Sequence, residues 1–344
     1  MYAWLIRTLL ALCCALATFS NLAKDSSTDE MTSSVRIAIV GDINGAYGST
    51  DYPALSYQLL DAVIQQQPDI ILSVGDVVAG QKRSLTPGQL ASMWQAFDEK
   101  MLQPMINQQS VWIPVIGNHD GSKAFNRLGK RLFAQERQLA ERFWQSKRPS
   151  SPNLTWLDDA HYPYYFSLLW QDIAIIVIDA SGAELSETEI QWLTTTLQSP
   201  AVQQARHRLV SGHLPLISIA EGRMAPGERL QDTESLIALF NRYQVDWYIS
   251  GHQHAFYQAK IGKLGLLMAA GIPARPILTE ANSYHVFSMI QIDSGVTLEH
   301  WDIQRQESFL LDKLPATIDS EPIPLRRWPQ QSEFSTPTYT KENP

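Results

Sequence analysis

Five apolar runs in this chain end the same way, on a glycine followed at once by a side chain that can hold a cation. They are Gly41-Asp42, Gly75-Asp76, Gly117-Asn118-His119-Asp120, Gly212-His213 and Gly251-His252-Gln253-His254. Asparagine is a poor strand former, and three adjacent polar side chains make a poor end for a buried strand, so the tips need another reason. In an open α/β sheet the carboxyl ends of the strands face one crevice, where ligands bind. Glycine lets the backbone turn there and come close to whatever is bound. Carboxylates, an amide and imidazoles brought together make a nitrogen-and-oxygen site for divalent first-row metals. At strand spacing His252 and His254 face one side and Gln253 the other. The donors outnumber what one four-coordinate ion needs, so two ions bridged by a carboxylate are more economical. Ions so paired, ~3.5–4 Å apart, clamp both oxygens of an in-line displacement at phosphorus.

The elements that must position these tips follow from the hydropathy pattern. "VRIAIVGD", "DIILSVGD" and "VWIPVIGNHD" are continuously apolar and rich in β-branched residues. Helical patterns separate them, one over 54–67 with Leu55, Leu59, Leu60 and Val63 on one face, another over 90–109. Strand, helix, strand with continuously apolar strands predicts a buried sheet with crossover helices. Residues from 122 to about 160 read as a helical insertion rich in Arg, Lys and Gln, with "SSPN" at 150–153 marking a loop. "YYFSLLWQDIAIIVIDAS" predicts a hairpin, and Ser186 with Glu189 three residues on predicts a helix start. A helix over 231–243 and strands around 264–270 and 284–302 complete the second half.

The chain has 344 residues, 44% hydrophobic, with net charge −8. That length suffices for a sizeable core, and the acidity offers no electrostatic footprint for nucleic acid. "MYAWLIRTLLALCCALATFS" pairs Arg7 with an apolar stretch shorter than the ~20 residues a spanning helix needs. It predicts a cleaved export signal over 1–23, and so a periplasmic or secreted protein with no membrane attachment after cleavage. Both cysteines, Cys13 and Cys14, lie inside that segment, so no thiolate is expected at the metal site. A polar linker over 24–34, one domain over 35–314 and a Pro-rich tail over 315–344 complete the expected organisation.

The five blocks in this order resemble the calcineurin-like metallophosphoesterase superfamily, which includes purple acid phosphatases. "SETEIQWLTTTL" and "SGHLPL" are similar to further marks of that family. The resemblance implies an α/β fold, a four-layer α/β/β/α sandwich of two mixed sheets flanked by helices, with the metals at the strands' carboxyl ends. It implies a hydrolase of small phosphorylated substrates that uses two divalent or trivalent ions (iron, manganese or zinc, with calcium in range) and a hydroxide generated on them. Asp76 then bridges the ions, Asp42 and His254 bind the first, and Asn118, His213 and His252 bind the second. His119 stands by the scissile oxygen, and Asp120 holds its imidazole in one tautomer.

The departure lies in the first block. Asn44 stands where many members have histidine, and Ala79 where purple acid phosphatases place a ligating tyrosine. Either Asn44, through its carbonyl oxygen, or Tyr47 fills the gap and hardens the site. An alternative follows: a non-catalytic metal-binding or scaffold protein on the same fold, its first site weakened. Among Arg83, Arg127, Arg223 and Arg275, the last is the favoured contact for a substrate phosphate. His161, His207, His285 and His300 have no motif around them and read as structural.

Overall fold

Strand β1 (Val35–Val40) opens a six-stranded sheet of order β13-β12-β11-β1-β2-β3, in which β1, β2 (Ile70–Ser73) and β3 (Val111–Ile113) run parallel. Strand β11 (Val286–Ile292) pairs antiparallel with β1, then β12 (Val296–Asp302) and β13 (Glu307–Phe309) follow antiparallel. The second sheet has seven strands in the order β4-β5-β6-β7-β8-β10-β9. Its strands are β4 (Leu154–His161), β5 (Tyr165–Trp170), β6 (Ile173–Val177), β7 (His207–Ser211), β8 (Trp247–Ser250), β9 (Tyr257–Ile261) and β10 (Leu264–Met268). Here β6, β7, β8 and β10 run parallel, and both edges are antiparallel. This computed structural model describes residues 34–106, 109–269, 271–277, 283–293, 295–304, 307–309, 317–318 and 321–322. The expected export segment, most of the linker and most of the tail lie outside the described residues.

Alternation along β6 shows how the layers stack. Ile173, Ile175 and Val177 join the core shared with Ile37, Ile39 and Leu72 of the first sheet. Ala174 and Ile176 point the other way, into a second core against the outer helices. A side-chain period of two on a strand buried on both faces requires this split. Helix α1 (Ala54–Gln66) lays Leu59, Leu60 and Val63 on the first core. Helix α2 (Pro87–Phe97) starts on a Thr86–Gln89 capping box and continues through a π-helical turn, Asp98–Leu102, into α3 (Gln103–Ile106). A four-residue helix, α4 (Asn118–Gly121), follows β3, and α5 (Ala134–Ser146) buries Trp144 against Phe97 and Trp112. On the outer face, α6 (Glu187–Gln198), α7 (Pro200–Gln204) and α8 (Thr233–Arg242) cover the second sheet through Leu193, Val202, Leu236 and Phe240. The fold is thus two mixed sheets between helical layers.

Two sequence expectations change here. The segment expected to be a helical insertion is helical only over α5; residues 154–161 form the edge strand β4. An edge strand half exposed to water carries polar residues on one face, and "LTWLDDAH" lacks the apolar run that marks the inner strands. The Ser186–Glu189 box does open α6, with Glu189 N–H donating to Ser186 Oγ at 3.2 Å and Ser186 N–H to Glu189 Oε2 at 2.7 Å.

Candidate metal centre

The carboxyl ends of β1, β2, β3, β7 and β8 meet at one place, where Asp76, Asn118, His119, His252 and His254 line a cleft of about 1510 Å³ and Asp42 and His213 are fully buried. Gly117 and Gly251 explain the glycine at two of these tips, because a Cβ on either would run into a carboxylate, that of Asp76 or Asp42 respectively. The residues that follow turn sharply. Asp42 (φ 51), Asp76 (φ 54), His252 (φ 71) and His254 (φ 55) all occupy the left-handed region. Non-glycine residues held there persist only where surrounding structure imposes the conformation, and they cluster at functional sites. This revises the expectation for the last block. Strand β8 stops at Ser250, so His252 and His254 share a side because of a left-handed turn, not a strand pleat.

Four donor atoms converge. His213 Nε2 lies 2.8 Å from Asn118 Oδ1 and 3.2 Å from Asp76 Oδ2. His252 Nδ1 lies 2.8 Å from the same Asn118 oxygen and 3.3 Å from His213 Nε2. His213, His252 and Asn118 each make an outward bond that fixes which atom they turn inward. His213 Nδ1 sits 2.7 Å from Val74 O and His252 Nε2 sits 3.0 Å from a Glu228 carboxylate oxygen, so each ring donates from its outer nitrogen and turns the other toward the cluster. Asn118 Nδ2 donates to Gln81 Oε1 at 2.7 Å, which turns its carbonyl oxygen inward. With no cation among them, a proton on His213 included, lone pairs would face lone pairs and a carboxylate. That arrangement repels itself unless positive charge sits among them, and it matches the oxygen-and-imidazole preference of a divalent first-row ion. Among the described residues, Asp76, His213 and His252 form a group whose donor atoms all fall within 4.8 Å of one another.

The electrostatics agree. Burial alone would lift Asp76, but His213 and His119 outweigh it and hold the carboxyl far below its ordinary range. Burial would depress His213, yet the Asp76 and Asp42 carboxylates hold it up at about 9, which measures the cluster's pull for positive charge. Burial lowers His252, and lowers His254 to about 4, so both present the neutral imidazole that a metal needs. Asp42 is pushed up to about 7 by burial and by the Asp76 charge. Beside it, His254 Nδ1 lies 3.2 Å from Pro273 O, which leaves Nε2 facing Asp42 Oδ1 at 3.5 Å. These two make a second, sparser donor pair next to the first group.

His119 stands at the edge of the cluster. Its Nδ1 lies 3.1 Å from Gly80 O, and Nε2 is left toward the cleft, 3.9 Å from Asp76 Oδ2. Asp120 does not hold this imidazole, contrary to the expectation from the resemblance. Its carboxylate accepts four backbone N–H groups, with Oδ2 taking Asp76 and Gly117 and Oδ1 taking Val77 and Val78, at 2.8–3.0 Å. The residue is a tie between the β2 and β3 tips. Burial and the Asp76 charge push it up to about 6 against those amides.

The first-block departure has a partial answer. Tyr47 packs its ring on His119, centroids 5.1 Å apart and tilted by 33°. Asn44 is half-buried with its backbone N–H on Asp76 O at 3.3 Å, and Ala79 is buried with its carbonyl on Gly48 N–H. Arg275 is exposed and does not line the cleft; its backbone N–H donates to His254 O at 2.6 Å. Arg223 does line it, and so does His161, stacked on Tyr165 at 4.3 Å. Sequence reasoning missed Gln81, Glu136 and Glu228. Glu136 Oε2 accepts Gln81 N–H at 2.8 Å, behind the Asn118 amide. Glu228 is held down to about 2 by its hydrogen bond from His252 and by Arg223.

Arg137 forms part of the cleft wall. It donates to Asp179 Oδ2 (2.7 Å), Gly121 O (2.7 Å) and Ser181 Oγ (3.1 Å), and its guanidinium lies 3.8 Å from the centroid of the Tyr164 ring. Burial would raise the Asp179 carboxyl, but Arg137 and Lys123 outweigh it and hold it below the ordinary range. Removing one partner of a buried pair typically costs about 3–5 kcal/mol, so Arg137→Met should lose about that much in urea unfolding at neutral pH. A depressed acid contributes stability above its unfolded value and loses it as pH falls through its folded value. The deficit of Arg137→Met should therefore shrink when both proteins are unfolded near pH 3. An equal deficit at both pH values would mean that the lost packing, not the ion pair, carries the effect.

A two-sheet sandwich with acids, an amide and imidazoles at the strand tips defines a metal-dependent hydrolase type of site. A sequence model of the calcineurin-like phosphoesterase family matches residues 35–256, and the chain belongs to that family. A probable purple acid phosphatase of Arabidopsis thaliana is 23% identical over 238 residues, 67% of this chain and 49% of its own length. Among solved structures, a purple acid phosphatase from yellow lupin (Lupinus luteus) aligns with TM-score 0.61 at 15% identity, over 84% of this chain and 58% of the other. A dimetal phosphatase from Danio rerio aligns with TM-score 0.53 at 16% identity, over 77% and 95%. The anchor GAP50 of the inner membrane complex of Plasmodium aligns with TM-score 0.52 at 14% identity, over 81% and 88%. At these identities the structural likeness speaks to the fold. The chain spans about half the length of the curated relative it matches.

Proposed function

We propose that the protein is a metal-dependent phosphoesterase that works with two ions on small phosphorylated substrates after export from the cytoplasm. One observation carries this reading: Asp76, Asn118, His213 and His252 turn four donor atoms on one point while His119 stands beside them with a free ring nitrogen. Asp42 and His254 would supply the donors of the second position, and the Asp76 charge acts on both of them. Bound ions there supply Lewis acidity toward a phosphoryl oxygen and bring the pKa of water toward ~7. The protein's own part is orientation. Val74 O and Glu228 fix the two imidazoles, and Gln81 fixes the Asn118 amide. Gly80 O accepts from His119 Nδ1, which directs Nε2 at the cleft. There the doubly protonated ring gives its Nε2 proton to the leaving oxygen and is left as the neutral imidazole. Tyr47 lies against the His119 ring at the cleft mouth. The relatives described as phosphatases support the reading, and GAP50, described as the anchor in the inner membrane complex of Plasmodium, marks the scaffold alternative. A scaffold has no use for a positioned proton donor.

Stripping the protein with a chelator and reloading it with manganese, iron or zinc provides the test. Hydrolysis of a chromogenic phosphate ester should vanish on stripping and return with an added ion, and metal analysis should find two equivalents. A fully loaded, folded protein that hydrolyses neither a mono- nor a diester would favour the scaffold. Residues 1–23 are part of the same proposal: they lie outside the described residues, and no helix among the described residues is long and apolar enough to cross a membrane.

A further inference from the structure

Gln253, between the two histidines of the last block, is fully buried, and its side chain bonds to segment 218–228 and not to the converging donors. Its side chain is not idle. Oε1 accepts the backbone N–H groups of Ile219 (2.9 Å) and Ala220 (3.1 Å). Nε2 contacts Ser218 Oγ (3.0 Å), Arg223 O (3.2 Å) and Glu228 O (3.0 Å). The segment 218–228 thus hangs from the same turn that carries His252 and His254. It delivers two side chains to the cleft, Arg223 and Glu228. One oxygen of Glu228, Oε2, receives both His252 Nε2 at 3.0 Å and Arg223 Nη1 at 2.8 Å. Arg223 and Glu228 keep about a quarter of their side-chain surface in water, where an ion pair adds only modest stability, so stability alone does not explain the arrangement. Its position does. The guanidinium lines the cleft together with the metal-facing His252 and His254 and has further N–H donors beyond the one that Glu228 takes.

We propose that Glu228 is a positioning residue for two partners at once: it keeps the His252 proton on Nε2 so that Nδ1 faces the ion, and it holds Arg223 in the cleft as the cation that grips the substrate's phosphate. The inference rests on the phosphoesterase reading. Planar guanidinium donors match phosphate oxygens in geometry as well as charge. Segment 218–228 then links how firmly the ion is held to how firmly the phosphate is held.

The test uses the full chain, stripped by chelator and titrated calorimetrically with Mn²⁺, then with inorganic phosphate on the loaded protein. Glu228→Ala should weaken Mn²⁺ binding by about 10–100-fold and weaken phosphate binding as well. Arg223→Ala should leave Mn²⁺ affinity within about twofold and weaken phosphate binding about tenfold or more, as the loss of a charge-assisted hydrogen bond does. Glu228→Gln keeps a carbonyl oxygen for His252 but no charge for Arg223, so it should restore most of the Mn²⁺ affinity and little of the phosphate affinity. A purely structural role would not split the two affinities in this way, and the isosteric glutamine keeps the test valid if the alanine variant folds poorly. Wild-type Mn²⁺ affinity in Glu228→Ala, a glutamine variant as poor in Mn²⁺ as the alanine one, or unchanged phosphate binding in Arg223→Ala would each overturn the proposal. A wild type that binds Mn²⁺ and phosphate yet hydrolyses no ester would instead overturn the phosphoesterase reading.

Discussion

His119→Ala should lower kcat by about 10²–10⁴-fold, the usual worth of a positioned acid or base, while metal content stays at the wild-type level. The structure separates the two roles. His119 Nδ1 is engaged with Gly80 O, and its Nε2 is 3.9 Å from the nearest Asp76 oxygen, outside the group formed by Asp76, Asn118, His213 and His252. Its backbone N–H does donate to Asp76 Oδ1 at 2.7 Å, but alanine keeps that bond. His213→Ala and His252→Ala should lose metal together with rate, because each removes a converging nitrogen. Metal analysis beside steady-state kinetics decides the matter. A His119→Ala protein depleted of metal would place the imidazole among the ligands.

Asp120→Asn should behave in the opposite way, and the structure reverses the expectation from the resemblance. Had Asp120 oriented His119, the asparagine variant would keep its metal and lose rate. Four backbone amides converge on the two carboxylate oxygens instead. An asparagine has one carbonyl oxygen, so its NH₂ group must face two N–H donors. Each buried group left unsatisfied costs about 1–3 kcal/mol. The wild-type carboxylate is itself disfavoured by burial, with its pKa near 6, and the neutral amide escapes that penalty. The net loss should fall near the lower end, about 2–3 kcal/mol, seen as a melting point several degrees lower. Because Asp76 is the first residue of the tied loop, metal affinity should fall along with stability. A stable, metal-replete Asp120→Asn protein with low kcat would restore the orienting role.

The sequence by itself determined the donors and the places they stand. An apolar run ending in glycine and a polar cluster is readable because strand burial and the turn after it are local, and they repeated five times. It also determined the buried sheets, the Ser186–Glu189 helix start and the absence of thiolate from the described site, since each rests on residue type and short spacing. Only the tertiary structure decided what each site residue leans on. Asp120 meets amides some forty positions away, His252 meets Glu228 twenty-four positions back, and Asn118 meets Gln81 across two loops. No periodicity encodes such pairs. They arise where separate strand tips are brought to one edge by the stacking of two sheets. The same holds for Arg223 over Arg275: both are arginines in loops, and the hydrogen bonds of Gln253 hold the segment that carries the first of them to the cleft. Gln253 lies opposite its two histidine neighbours through a left-handed turn and not through the strand spacing expected, and its partners could not be known until segment 218–228 had folded back over it. A motif names the groups that can bind a cation. The outward hydrogen bond on each group selects the lone pair it offers, and those bonds exist only once the chain has closed on itself.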